Sequence, residues 1–476
     1  MVSKMSGAER GENRSDLVHD LVIRGGTVVT AGSSSECDVA ITGGLISQIG
    51  GAPRGRRYLD AVGALVLPGG IDMHVHLSSP QAPAPGEPAW ADDFASGSEA
   101  AIAGGVTTIG NMSFPASGQS LRQAVERDLA SAGSDSAVDF VLHPIIYDYV
   151  PEALAEIPVL AQAGHTSLKL FMTSSGFDAH ADEMVEAVRT AGRNGMLTLI
   201  HCEDGALIRF ACDQLLAAGG GGLADWAASR PVAAERGAVE RAISICEVTG
   251  SPIYIVHLSS QAALDAARRG RARGLPVYVE TRPLYLYLTS AALAEPQGGR
   301  FIGAPPLRED ADVAALWSGL ADGSVDTLGS DHAPWELRHK IEATLDVTSA
   351  RQGVADLETM LPMLFSAGVL TGRISISRFV ALTSTNPARL FGLYPRKGTI
   401  AVGSDADLLV LDPGLRRIVD GRSMHSKAGY SAYDGQEVTG WPRFTISRGE
   451  VVLEDGEVTG RLGRGQWLHR GPTTSA

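Results

Sequence analysis

The chain has 476 residues, with 40 Lys and Arg against 54 Asp and Glu, a formal charge of −14. That balance excludes a role in coating nucleic acid, because phosphate neutralisation needs clustered cations, while 44% hydrophobic and 20% charged residues describe a chain that buries a large core rather than a disordered one. Cys37, Cys202, Cys212 and Cys246 show no CxxC spacing, no apolar leader opens the sequence, and no apolar run reaches the ~20 residues of a membrane helix. The expectation is a reduced, cytoplasmic protein without membrane or nucleic-acid partners. At roughly 150 residues per domain the length suggests three domains, yet α/β barrels run to about 250 residues as one unit, so a large domain with a smaller one is equally admissible.

In chain order, residues 1–16 are small and polar and read as a disordered tail. From 17 to 66 the texture is β: Leu21 to Val29, Cys37 to Ile41 and Leu45 to Ile49 are short β-branched runs separated by Gly pairs, which read as hairpins. The same texture returns within 392–476, at Asp407 to Leu411 and Phe444 to Leu453. Neither end has enough strands to bury a face alone, so the two are expected to pair into one β-sandwich domain. Between them, from 67 to 391, apolar strands of four to six residues alternate with amphipathic segments such as Asp182 to Ala191 and Gln261 to Arg269, the latter capped by Ser260. The expected strands are Ile71 to His76, Val106 to Met112, Phe140 to Pro144, Ser167 to Phe171, Met196 to His201, Ile253 to His257, Val277 to Glu280 and Thr327 to Asp331. Eight such β/α units fit a TIM barrel.

The chemistry-bearing residues fall on those strands. His74 and His76 are two apart on the first, so both point the same way, into the barrel. Lys169 lies inside the fourth, His201 closes the fifth, His257 the sixth and Asp331 the eighth. A single His at a strand end is more often a capping or core residue than a ligand, and His-x-His alone is weak. Four His, one Lys and one Asp on five strands, mostly at the carboxyl ends where barrels keep their active sites, form a far more specific pattern. Lys169 sits in Ser-Leu-Lys-Leu-Phe, a strand buried on both faces, where an unpaired ammonium is costly. A desolvated neutral amine there can add carbon dioxide and become a carbamate able to bridge two divalent cations.

These runs resemble a known family. Leu67-Pro68-Gly69-Gly70-Ile71-Asp72-Met73-His74-Val75-His76, Ser167-Leu168-Lys169-Leu170-Phe171-Met172, Ile200-His201-Cys202-Glu203-Asp204, Ile255-Val256-His257-Leu258-Ser259 and Thr327-Leu328-Gly329-Ser330-Asp331-His332 look like the cyclic amidohydrolases: hydantoinases, dihydropyrimidinases and allantoinases. The likeness continues through Ala304 to Arg308, Asn386 to Leu393, and Lys397 to Ile400 with Gly403 to Leu408, and covers nearly all the chain after the first twenty residues. Tyr430 to Gly435 with Val438-Thr439-Gly440 is most similar to the hydantoinase and dihydropyrimidinase branch. The resemblance implies two divalent ions, usually Zn2+. His74, His76 and Asp331 would hold one ion and His201 and His257 the other, with carboxylated Lys169 and a hydroxide bridging them. It also implies Asp331 as the catalytic acid–base, a small cyclic amide or imide as substrate, and a self-associating protein, a homotetramer or dimer.

Three substrate-facing positions depart from the branch. Ser174 stands where the branch carries a Tyr that helps stabilise the oxyanion, with Tyr147 and Tyr285 as other candidates for the missing phenol. Arg282 stands where the branch usually places Cys or Ser; it could read a substrate carboxylate, or be an exposed loop charge or an internal pair. Gln352 takes the place of an Asn used through its backbone. Ser78, where dihydroorotases have Arg, counts against that activity, and the Pro-rich stretch Ser78 to Gly86 reads as part of a lid or an ordinary surface excursion. Allantoinase and hydrolases of other cyclic imides or lactams are the enzymatic alternatives. A scaffold of the same fold, lacking the ligands, is the non-enzymatic one, and the complete ligand set argues against it.

Overall fold

Glycine punctuation sets the amino-terminal architecture of the computed structural model, which describes residues 17–79, 87–147, 150–174 and 177–473. The expected tail and most of the Pro-rich stretch lie outside those residues. The expected run from Leu21 to Val29 is two strands, β1 (Val18–Arg24) and β2 (Thr27–Val29), because Gly25 takes a left-handed φ of 68° and its N–H is held by Asp38 Oδ1 at 3.0 Å. That turn sends the two strands into different sheets. β3 (Ser34–Glu36), β4 (Val39–Thr42), β5 (Leu45–Ile49), β6 (Arg54–Asp60) and β7 (Leu65–Pro68) complete the segment.

Eight strands follow: β8 (Gly70–Val75), β9 (Val106–Ser113), β10 (Asp139–Ile146), β11 (Ser167–Phe171), β12 (Leu197–His201), β13 (Ile253–Ile255), β14 (Val277–Thr281) and β15 (Thr327–Leu328). Each pairs in parallel with the next, and a parallel bridge from Val75 to His332, with His76 N–H on the His332 carbonyl at 2.8 Å, brings the last against the first. This is the expected TIM barrel, with helices between the strands. Helix Ala181–Arg193 buries Met184, Ala187, Val188 and Ala191, and helix Gln261–Ala272 begins where Ser260 Oγ accepts the Ala263 N–H. Alternate strand residues such as Ile71, Met73, Val141, Leu197, Leu199 and Tyr254 fill the interior with Phe391 and Leu468.

The carboxyl-terminal strands are β16 (Leu408–Ile418), β17 (Glu437–Ser447), β18 (Glu450–Glu454) and β19 (Glu457–Val458). One sheet, in the order β5-β4-β1-β6, is wholly amino-terminal, whereas the other, β19-β18-β17-β16-β7-β2-β3, interleaves both chain ends. Leu21, Ile23, Val39 and Ile41 pack with Leu408, Val410, Phe444 and Ile446 in a separate core. Barrel and sandwich are tied by the buried Lys397, whose ammonium meets Asp139 at the start of β10 (2.8 Å), Asp405 (3.2 Å) and Asp407. Among the described residues, no helix is long and apolar enough to cross a membrane.

Candidate active site

Parallel strands in a barrel aim their carboxyl ends at one mouth, and the six candidate residues lie at or near those ends, all buried. His74 Nε2 is 3.3 Å and His76 Nε2 3.0 Å from Asp331 Oδ1. Ligand atoms of His74, His76 and Asp331 lie within 4.8 Å of one another, a group able to hold a metal ion. The His201 and His257 rings meet edge to face at 4.6 Å, and His257 stacks on His74 at 5.3 Å. Lys169 Nζ stands 4.8 Å over the Phe171 ring, buried, with no hydrogen-bond partner among the described residues. His257 and Asp331, expected to close their strands, fall beyond them, at φ 39° and 50°. The left-handed backbone at these two positions costs ~1–3 kcal/mol per residue, a cost that concentrates at functional sites.

Other residues hold this cluster in place. Glu280 Oε1 lies 2.7 Å from His74 Nδ1 and accepts the His257 N–H at 3.0 Å, while Oε2 accepts the Tyr254 hydroxyl at 2.8 Å. A Cβ on Gly329 would come within 2.6 Å of Glu280 Oε2, so this close approach requires the glycine of Leu328-Gly329-Ser330. Glu203 Oε2 faces His201 Nε2 at 2.8 Å and is gripped by Arg230 through both oxygens. His332 Nε2 meets Asp92 Oδ2 at 2.9 Å, and Asp92 in turn accepts from Ser426 Oγ and the Lys427 N–H. Sequence reasoning missed these partners. The signal for Glu280 and Glu203 was there: a carboxylate in or directly after an apolar strand must find a donor.

Electrostatics follow from burial. Desolvation pushes Lys169 down to about 8, easing loss of its proton, and His76 down to about 4, and it lowers His201 and His257, favouring neutral imidazole donors. Burial opposes ionisation of Asp331, yet Arg282 first and His74 next outweigh it and hold the carboxyl well below its usual range. Burial likewise opposes ionisation of Glu203, and Arg230 brings it to about 2.

At the mouth, the Ser174 hydroxyl is buried without a hydrogen-bond partner among the described residues. Tyr285 is engaged, its hydroxyl donating to the Pro305 carbonyl at 2.6 Å, whereas Tyr147 is half exposed beside Phe114 and Phe171. Phe114 and Trp90 both reach His76, at 5.7 and 5.2 Å between rings. Arg282 forms the internal pair: fully buried, it donates to Asp331 Oδ2 at 2.6 Å and Asp356 Oδ2 at 3.1 Å. Gln352 has an exposed side chain, and its carbonyl accepts the Trp335 indole N–H at 2.8 Å. A second acidic group, Asp139, Asp405 and Asp407, has cation-holding geometry too, but the Lys397 ammonium already sits among its oxygens.

A TIM barrel with a buried His/Asp group at its strand ends defines a metal-competent barrel protein. Residues 65–452 match the Amidohydrolase family, and the chain belongs to that family. Its relatives include the D-phenylhydantoinase of Escherichia coli O9:H4 (strain HS), 37% identical over 95% of this chain and 98% of the relative. Among solved structures it is similar to D-hydantoinase from a Bacillus sp. AR9, with TM-score 0.91 and 36% identity over 96% of this chain and all of that one. It is also similar to the L-hydantoinase (dihydropyrimidinase) of Arthrobacter aurescens, with TM-score 0.87 and 34% identity over 95% of this chain and all of that one.

Proposed function

We propose that the chain is a metal-dependent hydrolase that opens a cyclic amide or imide ring of hydantoin or dihydropyrimidine type. The observation that carries this reading is the buried Lys169 amine, without a hydrogen-bond partner among the described residues and within electrostatic reach of His76, His201, His257 and Asp331. An isolated ammonium is costly there, whereas a carbamate beside imidazole and carboxylate donors suits a borderline cation such as zinc. His74, His76 and Asp331 would hold one ion and His201 and His257 a second, with carboxylated Lys169 between them. Bound there, two such ions would supply an activated water at neutral pH and polarise the scissile carbonyl.

The chain's own residues do the rest. Glu280 and Glu203 orient the His74 and His201 rings and fix which nitrogen of each is free. Asp331 takes the proton from the attacking water and returns it to the ring nitrogen as the amide bond breaks. Ser174 Oγ is the hydroxyl available to the developing oxyanion, and the rings of Trp90, Phe114 and Phe171 keep bulk water from the histidines. Gln352 would reach substrate through its backbone. The similar proteins include a D-phenylhydantoinase and an L-hydantoinase. Four unpaired thiols support a reducing, cytoplasmic setting. Exposed Leu207 and Phe210, beside an apolar surface groove of about 450 Å³ with Ala211, Leu215 and Pro231, support self-association as a dimer or tetramer.

The test is elemental analysis of the purified protein beside ring-opening assays on hydantoin, dihydrouracil, allantoin and succinimide. About two ions per chain and opening of hydantoin or dihydrouracil are expected. No metal and no turnover after supplementation with zinc or manganese and bicarbonate would overturn the reading.

A further inference from the structure

Arg282 has no exposed surface, and both of its terminal nitrogens are spent on carboxylates, Asp331 at 2.6 Å and Asp356 at 3.1 Å. Space is made for it: Gly303 lies where a Cβ would sit 3.3 Å from Arg282 Nη1. Asp356 is itself fully buried, at a point where its N–H and that of Leu357 donate to His332 Nδ1 at 3.3 Å. Asp331 is thus divided: Oδ1 faces His74 and His76, and Oδ2 is claimed by the guanidinium. Asp331 sits on a strained left-handed backbone, which persists only with support from the surrounding structure. A planar fork held by a second carboxylate supplies that support, which a lysine's point charge reproduces only in part.

We propose that Arg282 is a positioning residue for the reaction: it clamps Asp331 through Oδ2, keeps Oδ1 turned toward His74 and His76, and takes its own fixed place from Asp356. This rests on the ring-opening reading above. Arg282 does not bind a substrate carboxylate, because its charge is already matched by two buried anions.

The experiment compares wild type with Arg282→Met, Arg282→Lys and the double variant Arg282→Met/Asp356→Asn, which removes the carboxylate that the single variant would leave buried and unpaired. Each protein is loaded with cobalt in place of its native ions and read by visible absorption without substrate, then assayed for ring opening. The clamp predicts a shifted cobalt band in the Met variants, and a fall in kcat of about 10²-fold with little change in KM, as misplacement of a reacting group produces. Partial recovery is expected in Arg282→Lys, which also serves if the Met variants fail to fold. Unchanged spectrum and kcat would overturn the clamp. A loss confined to KM would also overturn it, by making Arg282 a substrate contact. If wild type opens no ring while the band still shifts, the clamp stands and the ring-opening reading falls.

Discussion

Lys169 is the residue on which the proposed chemistry turns. Lys169→Ala should lose bridging metal and turnover together, and added short carboxylates should restore part of both, read by elemental analysis and ring opening; full activity in that variant would remove the carbamate from the account. Asp331→Ala should lose roughly 10²–10⁴-fold in kcat, including in preparations that still carry metal. Glu280→Gln, which takes the charged partner from His74, should weaken metal retention on dialysis by about 10–100-fold. At this scale the sequence was most legible where a polar residue interrupts or closes an apolar strand, as Lys169 and His201 do. It was least legible for Arg282 and Glu280. Both lie at the end of β14 and the turn after it, in Glu280-Thr281-Arg282-Pro283, and the proline that follows reads locally as a loop entry with solvent-facing charge. Only the fold brings Asp331 and Asp356, 49 and 74 residues away, against that guanidinium.

Among the elements, the segment around His425 and Tyr433 reaches from the carboxyl-terminal region to the barrel mouth. Ser426 and Lys427 bond Asp92, and His425 bonds Glu358, by its N–H at 2.9 Å and its ring at 3.2 Å. The hydrogen bond to Glu358 raises the His425 imidazole above its ordinary 6.5. A raised folded value stabilises at pH below the unfolded value and loses that contribution as pH climbs through the folded one. His425→Gln should therefore lower the melting temperature at about pH 5.5 and leave it nearly unchanged at about pH 9, the half-buried pair being worth ~1 kcal/mol or less; an equal loss at both would assign the contact a shape role instead. The eight barrel strands were readable from the alternation of apolar runs and amphipathic helices, and the helices from their 3.6-residue periodicity. Their ends were not: β13 and β15 stop at Ile255 and Leu328, short of the left-handed His257 and Asp331, and although His and Asp are enriched in that backbone, the preference is too weak to place it from sequence.

For the whole molecule, Lys397 joins barrel to sandwich through three buried carboxylates. Lys397→Met should cost about 3–5 kcal/mol in denaturant unfolding, because it removes the cation shared by all three buried carboxylates and strands Asp407, while Arg448 and Arg396 still pair Asp139 and Asp405; a near-neutral effect would mean water replaces the ammonium. Phe210→Asp should shift the species seen in sedimentation toward the monomer if the groove beside it joins two copies. The pairing of both chain ends was anticipated from the strand shortage in each, whereas the interleaving, with β7 between β2 and β16, depends on contacts no local pattern encodes. That interleaving dictates a timetable on the ribosome. β7 emerges with one edge unpaired, and the apolar face of β1 and β4 emerges uncovered, until Leu408 arrives some 340 residues after Pro68. At ~5–20 residues per second the wait is roughly 20–70 s. The barrel strands are synthesised during that interval while Val66 and Leu67 stay open to wrong partners, so aggregation of the nascent chain should start at this edge and be relieved by slower initiation or by holding chaperones.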